Sequence, residues 1–170
     1  MVSMTQMPSA LDFPLMIVEE SSIEDPMIEN PAEVVVVKDL EDAMALFDSA
    51  GACKFMGISI SYEEWVNLIA TVTGWDFTYE EYKKTGERIY NLERVFHIRE
   101  GLARADDSLP RRFLEEPMPE GPAQGIVFDP QKFDMLLDAY YKLRGWDKNG
   151  KPTPAKLKEL SLENMINWIS

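Results

Sequence analysis

Signals that start and stop helices recur along this chain, and they constrain its fold more than any other feature. Ser61 with Glu64, and Thr78 with Glu81, have the spacing of a capping box at a helix N-terminus. Gly74 stands between the two boxes, where a helix begun at Ser61 is expected to end. These start and stop signals predict successive helices rather than strands.

About six helices are predicted from such signals together with apolar residues spaced three and four apart. They begin after Asn30, Ser61, Thr78, Asp129, Thr153 and Ser161. The run Val34–Val37 is assigned to the first of them, with a strand left open because valine favours strands. The predicted buried stripes of the first three helices are Val34, Val37, Leu40, Met44 and Phe47; Trp65, Leu68, Ile69 and Val72; and Tyr82, Ile89, Leu92, Val95, Phe96 and Ile98.

Prolines mark the segments that lack long helices. Residues 106–128 contain four prolines, each of which lacks an amide donor, so this stretch is predicted to be an extended surface connection. Residues 1–29 contain three prolines and no sustained apolar period, which predicts an irregular segment. The expected fold is therefore all-α, an irregular multi-helix domain over residues 30–170 with a proline-rich extended connection.

Charge and composition exclude several classes of protein. The formal net charge is −13, without a separate basic face, which argues against binding of nucleic acid. No apolar run approaches the roughly 18–20 residues needed to span a bilayer, and the first residues lack the features of a secretory signal. The single cysteine, Cys53, cannot form an internal disulfide. A reducing cytoplasmic location is therefore expected.

Few side chains by themselves predict chemistry. His97, the single histidine, lies in an apolar context and is interpreted as structural or exposed. One histidine and one cysteine do not form a zinc site, which usually needs three or four ligands. Five arginines alternate with acidic residues, which favours an ion-pair network over an anion site. They are Arg94, Arg99, Arg104, Arg111 and Arg112, among Glu93, Glu100, Asp106 and Asp107.

Several sequence blocks in order resemble one family, the tungsten- and molybdenum-pterin aldehyde:ferredoxin oxidoreductases, in their carboxy-terminal helical domain. The first block is Asp48-Ser49-Ala50-Gly51-Ala52-Cys53-Lys54-Phe55. The others are Thr73-Gly74-Trp75, the run from Gly86 to Phe96, Ile98-Arg99-Glu100-Gly101, the run from Asp106 to Phe113, and the run from Tyr140 to Asp147. The resemblance covers most of the chain after about Asp25.

The resemblance implies roles for three residues. The cysteine of the family's Asp-x-x-Gly-Leu-Cys motif is the fourth ligand of a four-iron four-sulfur cluster, which implies that role for Cys53. The family's aspartate and leucine contact one pterin, so Asp48 is implied as a hydrogen-bond acceptor and Ala52 stands in the leucine position. A thiolate suits iron, and Gly51 can adopt the positive φ that turns the chain toward a cluster.

The chain also departs from the family. Ala52 replaces leucine, His97 replaces asparagine, and Leu160-Ser161-Leu162 replaces Leu-Gly-Leu. The family's other three cluster cysteines and its first pterin motif lie in preceding domains and have no counterpart here. We therefore expect the isolated chain neither to bind the cofactors tightly nor to oxidise aldehydes.

Two functions follow from the resemblance. In the first, the chain is the carboxy-terminal domain or subunit of an enzyme that oxidises an aldehyde to a carboxylic acid and passes electrons through the cluster to ferredoxin. Its partners would be the missing pterin- and cluster-binding domains. In the second, the chain is a stand-alone helical remnant with a structural or protein-interaction role. An apolar patch near Cys53, covered by a partner or by a homodimer, would favour a missing neighbour.

Overall fold

The computed structural model describes residues 31–53, 55 and 59–169, with side chains from Val34 onward. Its α-helices are α1 (Pro31–Ser49), α2 (Tyr62–Thr73), α3 (Tyr79–Arg99), α4 (Arg111–Glu115), α5 (Pro130–Arg144) and α6 (Pro154–Glu159). Two 3₁₀ helices span Arg104–Asp106 and Glu163–Trp168. Within these ranges the only β pairing is an isolated bridge between Trp146 and Pro152. The predicted all-α class is confirmed, and the expectation for residues 1–29 lies outside the described residues.

The predicted capping box at Ser61 forms with both of its hydrogen bonds, and Thr78 caps α3 through its side chain. Ser61 Oγ accepts from the Glu64 amide at 3.2 Å, and the Glu64 carboxylate accepts from the Ser61 amide at 2.7 Å. The hydrogen bonds that the Ser61 amide and the Ser61 hydroxyl donate to the Glu64 carboxylate lower the pKa of Glu64. Thr78 Oγ1 accepts from the Glu81 amide at 3.2 Å, at the start of α3. Local pairing of this kind satisfies amides that have no partner inside the helix.

Four helices end in the Schellman arrangement, in which two backbone bonds close the last turn. The C′ residue of α1, α3 and α5 is glycine with positive φ, and these residues are Gly51, Gly101 and Gly145. The C′ residue of α6 is Ser161, whose φ is 58°. Its amide donates to the Lys158 carbonyl at 3.1 Å, and the Leu162 amide donates to the Leu157 carbonyl at 2.7 Å.

The prediction that Ser161 caps a last helix is wrong. Ser161 closes α6 instead, and the final Glu163–Trp168 segment is a 3₁₀ helix whose N-cap residue, Leu162, forms no side-chain cap. The physical reason is that the Leu162 amide bonds to the Leu157 carbonyl and both leucines are buried in one apolar cluster, an arrangement that closes α6 at Ser161.

The described residues group into two compact units, residues 36–90 and residues 31–35 with 91–169. The core of the first unit is formed by Ala43, Leu46, Phe47, Trp65, Val66 and Tyr82. α3 approaches α1 closely in this unit, because a Cβ at Gly86 would lie 2.4 Å from the Asp42 carbonyl oxygen. Asp42 is buried and pairs with Lys38 at 2.8 Å.

The second unit combines apolar clusters with a buried polar network. Val95, Leu157, Leu160, Leu162 and Ile169 form one cluster, and Val34 packs with Ala139 in another. Arg94 donates to both oxygens of Asp107 and to the Gly150 carbonyl, the last at 2.8 Å. Tyr141 donates its hydroxyl proton to the same carboxylate. The Trp146 indole donates to Asn91 Oδ1 at 2.8 Å.

Three of the predicted buried stripes are partly wrong. Val37 and Leu40 of α1, Leu68 and Val72 of α2, and Leu92 and Phe96 of α3 are all exposed. The reason in α1 and α3 is that paired polar side chains occupy the inner faces, namely Asp42, Asn91 and Arg94. In α2 only the first turns, at Trp65 and Val66, are buried. A buried face predicted from apolar residues alone does not include buried polar residues such as these.

The proline-rich connection contains no long helix, as predicted. A five-residue helix, α4, interrupts it at Arg111–Glu115, and the sequence prediction missed this element. None of the described helices is long and apolar enough to cross a membrane.

Candidate functional site

The three predicted site residues lie together where α1 ends. Asp48 is exposed in the last turn of α1, Ala52 is half-buried, and Cys53 is an exposed free thiol. The turn between them depends on Gly51, whose φ of 69° favours glycine. The structure therefore brings the carboxylate and the thiol onto one short segment.

Two backbone hydrogen bonds hold this segment in its turn. The Gly51 amide donates to the Asp48 carbonyl at 3.1 Å, and the Ala52 amide donates to the Phe47 carbonyl at 3.0 Å. Ala52 also packs against the apolar core that contains Phe47. The backbone immediately before Cys53 is consequently fixed by both hydrogen bonding and packing.

The available donors fit a partial cluster site. Among the described residues, no group of three or more His, Cys, Asp or Glu side chains converges on a point that could hold a metal ion. Cys53 is the single cysteine of the sequence, and an iron–sulfur cluster takes four thiolate ligands. The exposed thiol could therefore supply one ligand of such a cluster and not four. The exposed carboxylate of Asp48 is an acceptor that suits the N–H groups of a pterin.

The arginine-rich segment forms ion pairs, as predicted. Each of the five arginines has a carboxylate within 4 Å, and the pairs are Arg94–Asp107, Arg99–Glu100, Arg104–Asp138, Arg111–Glu115 and Arg112–Glu116. Only Arg94 among them is buried. Since these cations are already neutralised, the segment is a poor anion site.

Burial and ion pairing shift the pKa values of Arg94 and Asp107 in opposite directions. Burial is the largest single influence on the pKa of Arg94 and lowers it, but the hydrogen bonds and charge attraction to Asp107, together with Tyr141, raise that pKa above its usual value. Burial by itself raises the pKa of Asp107, and the hydrogen bonds from Arg94 and Tyr141 lower it below its usual value. Burial and the bond to Asp107 both raise the pKa of Tyr141. The network is therefore charged at neutral pH and stabilises the second unit.

Sequence reasoning missed two structural partners, Asn91 and Trp146. Both lie within blocks that carry the family resemblance. The indole of Trp146 bonds to Asn91, although the two residues are 55 positions apart in sequence. The one available sequence signal was the position of Asn91, four residues before Val95 and therefore on the same face of α3 as a predicted buried residue. His97 is exposed on α3, with its ring 6.2 Å from that of Phe96, in agreement with the prediction of a structural or exposed histidine.

Comparison with known proteins places these features in a family. The family model described as aldehyde ferredoxin oxidoreductase, domains 2 and 3, matches residues 4–162. The tungsten-containing aldehyde ferredoxin oxidoreductase of Pyrococcus furiosus is 48% identical over 123 residues, which are 72% of this chain and 20% of that protein. The Pyrococcus abyssi protein of the same name is 43% identical over 143 residues, 84% of this chain and 23% of that protein.

A solved structure also resembles the chain. It is the active-site complex BamBC of benzoyl coenzyme A reductase with 1,5-dienoyl-CoA, at a TM-score of 0.65 and 28% identity, covering 79% of this chain and 20% of that one. The chain spans about a fifth of the length of the curated relatives that it matches. Because the family model matches most of the sequence, the chain belongs to the aldehyde ferredoxin oxidoreductase family.

Proposed function

We propose that this chain is the carboxy-terminal part of a tungsten- or molybdenum-pterin aldehyde oxidoreductase. The observation that carries the proposal is the turn at the end of α1, where the exposed thiol of Cys53 follows the exposed carboxylate of Asp48 by five residues. The family's motif has an aspartate and a cysteine at this spacing. When bound, the metal–pterin centre would supply aldehyde oxidation and the iron–sulfur cluster would carry electrons singly toward ferredoxin.

Cys53 would act as one ligand of the four-iron four-sulfur cluster. Its exposure leaves the sulfur accessible to groups outside the described residues, and the fixed backbone of Gly51 and Ala52 limits where the sulfur can stand. The other three thiolates would come from the domains that precede this region in the family. By itself the chain would hold no cluster.

Asp48 and Ala52 would contact a pterin. The carboxylate of Asp48 would accept hydrogen bonds from the pterin N–H groups and so orient the ring system. The shorter side chain of Ala52 would give less packing area than the family's leucine, while its backbone amide stays bonded to Phe47. This substitution affects packing more than hydrogen bonding.

Exposed apolar side chains of the first unit support a missing neighbour. Phe55, Val72 and Trp75 are 77%, 78% and 67% exposed, respectively. We expect these side chains to belong to one contiguous apolar patch, which is the kind of surface that another protein surface covers. The proposed neighbour is the pterin- and cluster-binding part of the enzyme, on the same parent chain or as a separate subunit.

The test is anaerobic purification of the untagged chain from its native host, with metal analysis and identification of any bound polypeptide. We expect iron, tungsten or molybdenum, and a partner that contains three cluster cysteines. Cys53→Ala should lose the iron, Asp48→Ala should lose the tungsten or molybdenum, and Ser49→Ala, an exposed neighbour, should lose neither.

Two results would contradict the proposal. Iron that stays fully bound in Cys53→Ala would remove Cys53 from the cluster. A chain that purifies alone and metal-free would favour the other function considered, a stand-alone helical remnant with a structural or protein-interaction role. In that case Cys53 would be an exposed thiol without a metal.

A further inference from the structure

The loop between α1 and α2, which carries Cys53, is anchored at both ends by one apolar core. Ala52 precedes the thiol and Ile60 closes the loop, and both are half-buried against the core cluster of the first unit. Cys53 itself is exposed. The thiol is therefore exposed between two residues that pack against the core.

A pair of stacked rings joins the two ends of this loop. Phe47 lies in the last turn of α1 and Trp65 lies in the first turns of α2, with ring centroids 4.6 Å apart and planes 6° apart. The two residues are 2% and 4% exposed. The Phe47 carbonyl accepts the Ala52 amide at 3.0 Å, one residue before the thiol. Trp65 thus stacks on Phe47, and Phe47 is bonded through its carbonyl to Ala52, the residue next to Cys53.

Trp65 makes this contact through its ring and not through its N–H group. The buried Nε1 has no hydrogen-bond partner within the described part of the chain. A buried donor without a partner is destabilising, so the N–H group does not explain why the indole is held here. Phenylalanine at this position would keep an aromatic ring against Phe47 and would lose no hydrogen bond.

We propose that the Phe47–Trp65 stack positions Cys53 for cluster ligation, with Trp65 acting as a positioning residue that does not touch the cluster. The inference rests on the proposed role of Cys53 as a ligand. A functional side chain has to be held within about 0.5 Å of its productive place by packed neighbours. The stack meets that need because it fixes the distance between the helix ends that bracket the loop.

The test uses the fact that Cys53 is the single cysteine of the 170-residue sequence. A methanethiosulfonate nitroxide attached to it reports the mobility of this site by electron paramagnetic resonance, without iron or activity. We expect a shift toward faster label motion in Trp65→Leu, and wild-type motion in Trp65→Phe. Rescue by phenylalanine separates ring stacking from every effect of the indole N–H.

Two controls separate positioning from general loosening. Val66→Ala removes buried apolar volume on the same turn of α2 and should leave the Cys53 label unchanged. A label at Thr71→Cys in a Cys53→Ser background should be equally mobile with Trp65 and with Trp65→Leu, because α2 itself persists. Wild-type label motion in Trp65→Leu, or equal loosening in Val66→Ala, would overturn the inference.

The two proposals fail separately. If Cys53→Ala keeps its iron in the purified enzyme, the ligand assignment fails whatever the label shows. If the label is insensitive to Trp65→Leu while Cys53→Ala loses iron, Cys53 is a ligand that the stack does not position.

Discussion

Ser161→Gly is predicted to stabilise this protein, although it removes a side chain. Ser161 is the C′ residue of α6 with φ of 58°, and among the described residues it is the only one other than glycine with positive φ. It is exposed, so the substitution removes no buried contact. The family pattern has glycine at this position, between the two leucines.

The magnitude follows from two opposing terms. A left-handed conformation costs a non-glycine residue roughly 1–2 kcal/mol, and Ser→Gly would relieve it. Glycine loses more conformational entropy on folding, which offsets roughly 0.5–1 kcal/mol. The net gain in unfolding free energy is therefore about 0.5–1 kcal/mol. The turn is otherwise unchanged, because both of its hydrogen bonds come from backbone amides.

The assay is urea unfolding followed by tryptophan fluorescence, with the midpoint and slope compared between variants. Gly101→Ser is the reciprocal control, because Gly101 occupies the same position of α3 at φ of 97°, where a Cβ would have no atom within 4 Å. Its unfolding free energy should fall by about 0.5–1 kcal/mol, the reverse of the gain expected at Ser161. Ser108→Gly, at a position without positive φ, should not stabilise. A Ser161→Gly midpoint at or below that of wild type would refute the reasoning.

Asp107→Asn should destabilise the second unit by about 3 kcal/mol, because it leaves the buried charge of Arg94 without its carboxylate. Urea unfolding measures this loss of stability. A loss smaller than that of the control variant Asp106→Asn would contradict the prediction. The lowered pKa of Asp107 means that its contribution is present above the unfolded-state value of 3.8 and is lost as pH falls through the folded-state value. Between pH 7 and pH 2 the free energy of unfolding should accordingly fall more steeply for wild type than for Asp107→Asn. Parallel curves would argue against a contribution of the Asp107 carboxylate to stability. Gly150→Ala should cost more than Gly101→Ala, because a Cβ at Gly150 would lie 2.3 Å from Arg94 Nη2 while Gly101 faces open space; equal thermal midpoints would refute the close approach.

The sequence by itself determined several helix ends, namely those whose cap and stop residues are local. Ser61, Thr78 and Asp129 cap the helices that follow them, and Gly74 and Gly145 end the helices that precede them, as predicted. A cap is formed by residues within a few positions of one another, so its chemistry is complete in the local sequence. The grouping of Asp48 and Cys53 on one turn was predictable for the same reason, while their roles came from resemblance to a family.

The buried faces were decided only in the tertiary structure. Leu92 and Phe96 fit an apolar stripe, yet they are exposed, while Asn91 and Arg94 lie inside. Arg94 is stable there because it reaches the Gly150 carbonyl 56 residues away. A buried polar group is acceptable when its partner is in place, and no local pattern shows a partner that far along the chain. The same holds for the Phe47–Trp65 stack, which depends on how α1 and α2 meet.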